Sequence, residues 1–170
     1  MRLSQAFAEI DSADKEPAET IIKGFTPIGS ISGIGGGTVK VTAYEIAAPS
    51  RGIVLHRVQF EVADEETFQN GGTASVSLEA AERLSEALSN LANAKISTDR
   101  FRFSEVEAKV DDLKITVFNT EDRRIMASVS AEGYMCHLKL QSDLLNLGRL
   151  LDLAVLHLRT AAIEQPQTEN

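Results

Sequence analysis

Hydrophobic and polar residues alternate through residues 103 to 140, and this alternation predicts four consecutive β-strands. Successive side chains of a strand point to opposite faces, so residues two apart share a face. Two-residue turns at Asp111-Asp112 and Glu132-Gly133 keep the apolar residues of neighbouring strands together. Joining the two middle strands on the same face requires an odd loop, most simply Thr120 to Asp122. The pattern indicates an antiparallel sheet with one apolar and one polar face.

The two faces of this sheet are expected to differ in accessibility. The apolar face is expected to be buried and includes Val106, Ile115, Val117, Ile125, Val129, Cys136 and Leu138, with the last strand reaching Leu140. The opposite face is expected to be open, and its candidate binding residues are Lys109, Lys114, Phe118, His137 and Lys139. Lysines beside a phenylalanine are a possible platform for stacked nucleic-acid bases. An ordinary solvated sheet face would carry the same residues.

The first half of the chain shows a weaker version of the same pattern. Strands are expected at residues 21–31, 38–47, 52–63 and 73–76, with a turn at Pro49-Ser50-Arg51. Ser77 is expected to cap a helix that runs to about residue 94, because serine side chains accept hydrogen bonds from the first amides of a helix. The apolar residues of this helix fall on one side, which predicts that it packs against a sheet.

A second helix is predicted over residues 142 to 163, where it would cover the apolar face of the 103–140 sheet. Shifting the chain by 63 positions places the apolar residues of the first helix on those of the second, namely Leu84, Leu88 and Leu91 on Leu147, Leu151 and Ala154. The predicted fold class is therefore α+β, with antiparallel sheets and two helices packed on one face. The chain is read as two pseudo-repeated halves, each with strands followed by a helix.

The same pattern divides the chain into four segments. Residues 1–20 are expected to form an N-terminal arm or a short helix, residues 21–96 the first half, residues 97–163 the second half, and residues 164–170 a disordered tail. The polar, proline-containing composition of the tail is the reason for that last assignment.

The second helix has apolar residues on two sides. Leu145, Leu153 and Leu156 lie outside its main apolar stripe and surround Arg149. These four residues form a candidate interaction patch, because soluble monomers rarely expose a continuous apolar surface. One interpretation is that a second copy of the chain covers the patch. The other is that the helix is wedged between the two halves of one chain, which would bury both sides.

The composition and the net charge of the chain limit its expected cellular compartment and its expected partners. The 170-residue chain has no apolar run near the ~18 residues that a membrane-spanning helix needs, so no membrane partner is expected. The single cysteine, Cys136, cannot form an internal disulfide, which favours a reducing, cytoplasmic location. With 17 basic and 25 acidic residues, the net charge of −8 disfavours nucleic acid as a partner.

Catalytic, metal and cofactor motifs are missing from the sequence. The glycine cluster at residues 33–37 precedes a strand, whereas phosphate-binding glycine loops open a helix, so a hairpin or hinge is the preferred interpretation. His56 lies on a predicted core face, His137 on the open sheet face and His157 on the polar side of the second helix. This spacing suits no metal site, and no cofactor is expected. An enzyme is the less favoured interpretation.

Three function classes follow from these observations. The preferred one is a non-catalytic interaction protein that self-associates through the C-terminal helix, as a homo-oligomer or with a protein partner. The arrangement of several antiparallel strands followed by a helix, given twice, resembles that of the Whirly and PUR-type nucleic-acid-binding folds. That resemblance implies single-stranded nucleic-acid binding as the alternative. The third class is an enzyme or a small-ligand protein.

Overall fold

The computed structural model describes residues 19–64, 71–96 and 101–164. The predictions of an N-terminal arm over residues 1–20 and of a disordered tail over residues 164–170 lie almost wholly outside the described residues. Within the described ranges the chain forms two four-stranded antiparallel sheets and two helices that pack against them. The predicted α+β class is therefore confirmed, and the pseudo-repeat fits in outline.

The first sheet contains four sequential strands joined as a meander. They are β1 (Ile22–Ser32), β2 (Thr38–Ala48), β3 (Ile53–Ala63) and β4 (Gly72–Ser77), in the spatial order β1-β2-β3-β4. The turn between β2 and β3 is a single 3₁₀ turn, Pro49–Arg51, followed by Gly52 with a φ of 61°. Glycine adopts this left-handed conformation without the steric penalty of a side chain. Gly52 therefore belongs to the turn, and β3 begins at Ile53, one residue later than expected.

The glycine cluster forms the connection between β1 and β2, as the hairpin interpretation predicted. The Gly33 amide donates to the Gly37 carbonyl oxygen at 2.7 Å, which closes a three-residue 3₁₀ loop, Ile34–Gly36. Gly35 and Gly36 have positive φ values of 84° and 108°. The backbone therefore needs glycine at two positions of this tight turn.

The second sheet contains β5 (Glu105–Val110), β6 (Leu113–Asn119), β7 (Ile125–Ala131) and β8 (Tyr134–Leu138), again in sequential order. Val110 pairs with Leu113 and Ala131 with Tyr134, so both predicted two-residue turns are confirmed. Glu132 and Gly133 both have positive φ, at 50° and 86°. Two consecutive positive φ values match the right-handed twist of the strands that such a hairpin joins.

The loop between β6 and β7 is odd, as predicted, but its position differs. Asn119 pairs with Ile125, whereas a loop over Thr120–Asp122 would have paired Asn119 with Arg123. The Thr120 amide donates to the Arg124 carbonyl oxygen at 2.8 Å, and Arg123 has a φ of 63°. The pairing is displaced by two residues, which leaves every side chain on its predicted face because the strand period is two.

The burial expected for the second sheet is correct except at its edge. Ile115, Val117, Val129, Cys136 and Leu138 are buried, and Ile125 is partly buried. The prediction for Val106 is wrong, since 44% of this residue is exposed. Val106 lies on β5, the edge strand of this sheet in the part of the chain that the structure describes, and its paired residue is Val117 on β6. Alternation gives the direction of its side chain but not what covers it.

The helices are α1 (Leu78–Ala92) and α2 (Leu140–Glu164). Ser77 caps α1 as predicted, because its hydroxyl oxygen accepts a hydrogen bond from the Ala80 amide at 3.2 Å. The boundary before α2 corrects the prediction that β8 reaches Leu140. The Lys139 amide donates to the Asp143 carboxylate at 2.7 Å, and a carboxylate in this position stabilises the first turn of a helix.

The placement of α2 also differs from the expectation that it covers the second sheet. It packs mainly along β1 and β2 of the first sheet, while α1 contacts β5 of the second sheet as well as β3 and β4. The two helices pack on each other and are joined by polar contacts, including a hydrogen bond from the Ser85 hydroxyl to Asp152 Oδ1 at 2.5 Å and an ion pair between Glu82 and Arg159. The halves therefore share one core.

That core contains apolar residues from both sheets and both helices. Its largest fully buried side chains are Phe60, Leu84, Leu88, Leu113, Ile115, Leu138, Leu144, Leu147, Leu151, Val39, Val41 and Val58. The two sheets meet where β3 and β4 approach β7 and β8. The Thr73 amide of β4 donates to Glu132 Oε2, in the turn after β7, at 3.0 Å.

Candidate interaction surfaces

The outer side of α2 carries the candidate interaction patch. Leu145, Leu153 and Leu156, here named the outer leucines, are 44%, 53% and 62% exposed. The opposite side of the same helix is fully buried through Leu144, Leu147, Leu151, Ala154 and Leu158. Because the helix period is 3.6 residues, the inner stripe cannot cover the core and bury the outer leucines at the same time. The structure places all three on the surface of the chain.

Two charged residues lie between the outer leucines. Arg149 is exposed, and its guanidinium donates to Asn146 Oδ1 at 3.3 Å. No carboxylate of the described residues lies within ion-pair distance of Arg149. Asp152 is also exposed and accepts the Ser85 hydroxyl through its Oδ1 atom. The patch therefore combines large apolar side chains with one charge of each sign.

The open face of the second sheet brings together four of its five candidate binding residues. Strand pairing places Lys109 opposite Lys114, and Phe118 reaches the ring of His137 at a centroid distance of 6.1 Å in an edge-to-face arrangement. Lys139 lies beyond the end of β8, between the sheet and α2, so it does not belong to this face.

Neighbouring side chains partly occupy this open face. Lys114 Nζ lies 2.9 Å from Glu107 Oε2, and this hydrogen bond, reinforced by the carboxylate charge, raises the pKa of Lys114. Thr116 and Ser128 form a buried polar floor in the middle of the face. A cavity of about 340 Å³ lies beside Lys109 and Lys114. The basic charge that the sequence suggested is thus partly neutralised at Lys114.

The open face of the first sheet is a surface that the sequence reading missed. Phe25 is 65% exposed, and its ring centroid lies 5.8 Å from that of Tyr44. Strand pairing places Lys23, Lys40 and Arg57 on the same face as these rings. A cavity of about 430 Å³ extends from Phe25 and Tyr44 towards Lys40.

The charge balance of this face differs from that of the whole chain. The strand residues of this face include three basic side chains. The acidic residue Glu61 lies on the same face, with its Oε2 atom 3.9 Å from Lys40 Nζ. Arg57 is held by hydrogen bonds to Ser75, at 2.8 Å to the hydroxyl and 2.9 Å to the carbonyl oxygen. In the sequence, the alternation of Lys23, Phe25 and Pro27 was the pattern that could have indicated this open face. A register shift between Pro27 and Gly29 changes the pairing with β2, so alternation alone did not align the two strands.

The histidines and the cysteine do not form a reactive cluster. His56 Nε2 lies 3.0 Å from Glu45 Oε2, which agrees with its reading as a hydrogen-bonded, largely buried residue. His137 and His157 are exposed on different elements. In the described ranges, no three histidine, cysteine or acidic side chains converge as metal ligands. Burial raises the pKa of the Cys136 thiol to about 11, and a protonated thiol is a poor nucleophile.

Comparisons with known proteins add no family to this picture. A scan against protein-family models and a search of curated proteins found no match for this sequence. Neither helix of the described residues is both long enough and apolar enough to cross a membrane.

Proposed function

We propose that this protein is a non-catalytic interaction protein that self-associates through the outer side of α2. The exposure of the outer leucines is the observation that carries the proposal. The inner side of α2 already meets α1 and the first sheet, and the outer side has no such cover from the described residues. This geometry favours a second copy over the alternative in which the helix is wedged between the two halves.

The strength of the association can be estimated from these side chains. Burying a fully exposed leucine stabilises by roughly 1.5–3 kcal/mol, so each half-exposed outer leucine contributes about 1 kcal/mol. A two-fold dimer buries the same patch on both partners, which doubles the contribution. Association also costs several kcal/mol of lost motional freedom. We therefore expect weak, reversible dimerisation rather than an obligate dimer.

Light scattering at a series of concentrations tests the proposal. The wild type is expected to move from the monomer mass of 18.4 kDa towards twice that value. The double variant Leu153→Glu, Leu156→Glu is expected to stay monomeric and folded. A matched control is Leu55→Glu, which removes a leucine of similar exposure, 49%, on β3. A wild type that stays monomeric at every concentration would contradict the proposal.

A second candidate function, single-stranded nucleic-acid binding, is favoured by the open face of the first sheet. Exposed aromatic rings next to basic side chains suit base stacking and phosphate contact. Phe25, Tyr44, Lys23 and Lys40 supply both on one face. The net charge of −8 opposes binding of a polyanion, so binding is expected to be weak and sensitive to salt.

Fluorescence anisotropy with a labelled oligothymidine compares the two sheet faces. Phe25→Ala and Lys40→Glu probe the first sheet, while Lys109→Glu and Lys114→Glu probe the second. If the first face binds, only the first pair of variants weakens the complex. Loss of binding with the second pair alone would move the site to the second sheet. Absence of binding at low salt would remove this candidate.

A further inference from the structure

Four residues on the outer side of α2 are arranged symmetrically about the midpoint between Leu145 and Leu156. Leu145 and Leu156 lie at equal distances along the helix from a point between residues 150 and 151, and so do Arg149 and Asp152. At 100° per residue, Leu145, Arg149, Asp152 and Leu156 fall within one narrow arc of the helix surface. Along the helix axis, a leucine thus lies at each end of this group of four residues, and opposite charges flank its midpoint.

We infer that two copies of the chain pair their α2 helices antiparallel, with a two-fold axis passing this midpoint. The inference rests on the self-association proposed above and specifies its geometry. Leu145 of one copy then lies opposite Leu156 of the other, and Arg149 lies opposite Asp152. Each contact occurs twice, because an interface about a two-fold axis uses the same surface on both partners.

Charge distinguishes this arrangement from a parallel one. In a parallel two-fold pair each residue meets its own copy, so Arg149 would face Arg149 and Asp152 would face Asp152. Juxtaposed like charges disfavour an interface, whereas opposite charges fix its register. Both residues can form an ion pair with a second copy. Arg149 donates to the Asn146 amide oxygen at 3.3 Å and has no carboxylate partner among the described residues, and Asp152 uses Oδ1 for Ser85. The antiparallel pairing gives each charge an opposite partner.

Charge reversal tests the pairing through the dissociation constant of the dimer. Arg149→Asp and Asp152→Arg each place like charges opposite one another twice per dimer, and each is expected to raise the dissociation constant on the order of tenfold. The double variant exchanges the two charges and is expected to recover most of the loss. Ser85→Ala is the matched control for Asp152→Arg, because it removes the same intrachain hydrogen bond without changing the charge. It is expected to dimerise as the wild type does.

Cysteine cross-linking tests the direction of the helices. Chains carrying Leu145→Cys and chains carrying Leu156→Cys are expected to form a disulfide only when they are mixed. In the antiparallel pair, two copies of residue 145 are separated by 11 residues along the axis, or about 16 Å. A disulfide requires Cα atoms within roughly 7 Å, so neither variant should cross-link with itself. The native Cys136 is buried and serves as the background control.

The outcomes separate this arrangement from the self-association on which it depends. A wild type that is monomeric by light scattering overturns both. A dimeric wild type in which Leu145→Cys cross-links by itself, or in which the charge reversals leave the dissociation constant unchanged, overturns the antiparallel arrangement alone. Cross-linking that requires the mixture, together with recovery in the double charge variant, supports it.

Discussion

Gly72 lies at a close approach of the two sheets, and replacing it tests whether the halves share one core. It is the buried first residue of β4. A Cβ atom added at Gly72 would lie 1.9 Å from the carbonyl oxygen of Ala131 and 2.6 Å from its carbonyl carbon. Both atoms belong to the backbone of β7, so no side-chain rotation can relieve the overlap. The sheets must separate by more than an ångström to accommodate Gly72→Ala.

The expected loss of stability follows from this geometry. Overpacking a core costs typically 1–3 kcal/mol, and a backbone overlap belongs at the upper end, so we expect about 3 kcal/mol. For a domain of this size each kcal/mol lowers Tm by roughly 2–4 °C. The Tm of Gly72→Ala should therefore fall by about 6–12 °C in thermal unfolding followed by circular dichroism.

Gly148→Ala is the matched control for this glycine substitution. A Cβ atom at Gly148 meets no atom within 4 Å outside its own helix. Alanine is favoured over glycine in a helix interior by about 1 kcal/mol, so the Tm should rise by roughly 2–4 °C when measured below the dimerisation range. An unchanged Tm for Gly72→Ala would refute the close approach of β4 and β7.

Two further predictions concern Asn119 and Cys136. Asn119 accepts the Ser104 amide at 2.6 Å and donates to the Arg102 carbonyl oxygen at 2.8 Å, so Asn119→Ala should lower the free energy of unfolding by about 2 kcal/mol and speed amide exchange at Ser104. An unchanged rate of amide exchange at Ser104 would contradict the stabilising role of the Asn119 side chain. Because burial raises the pKa of Cys136 from 9.0 to about 11, its contribution to stability is complete below pH 9 and is lost as the pH rises through 11. The free-energy difference between the wild type and Cys136→Ala should shrink over that interval, and a constant difference would contradict the shift.

The faces of the second sheet were determined by the sequence, because they depend on local geometry. The alternation of Ile115 and Val117 and the two-residue turn at Glu132-Gly133 specify which side each residue takes. Even a pairing displaced by two residues beyond Asn119 left those faces unchanged, since the side-chain period of a strand is two. The cap at Ser77 could also be predicted from the sequence, because a serine hydroxyl accepts a hydrogen bond from an amide three residues away.

Long-range packing decided the remaining features. Periodicity showed that α2 has an apolar inner side, but only the tertiary structure placed that side on β1 and β2. Val106 points towards the apolar face of its sheet and stays exposed, because an edge strand has one neighbour. The pairing of Phe25 with Tyr44 depends on a register shift in β1 that no local pattern marks. Local periods determine the direction of a side chain, whereas contacts between residues distant in sequence determine what it meets.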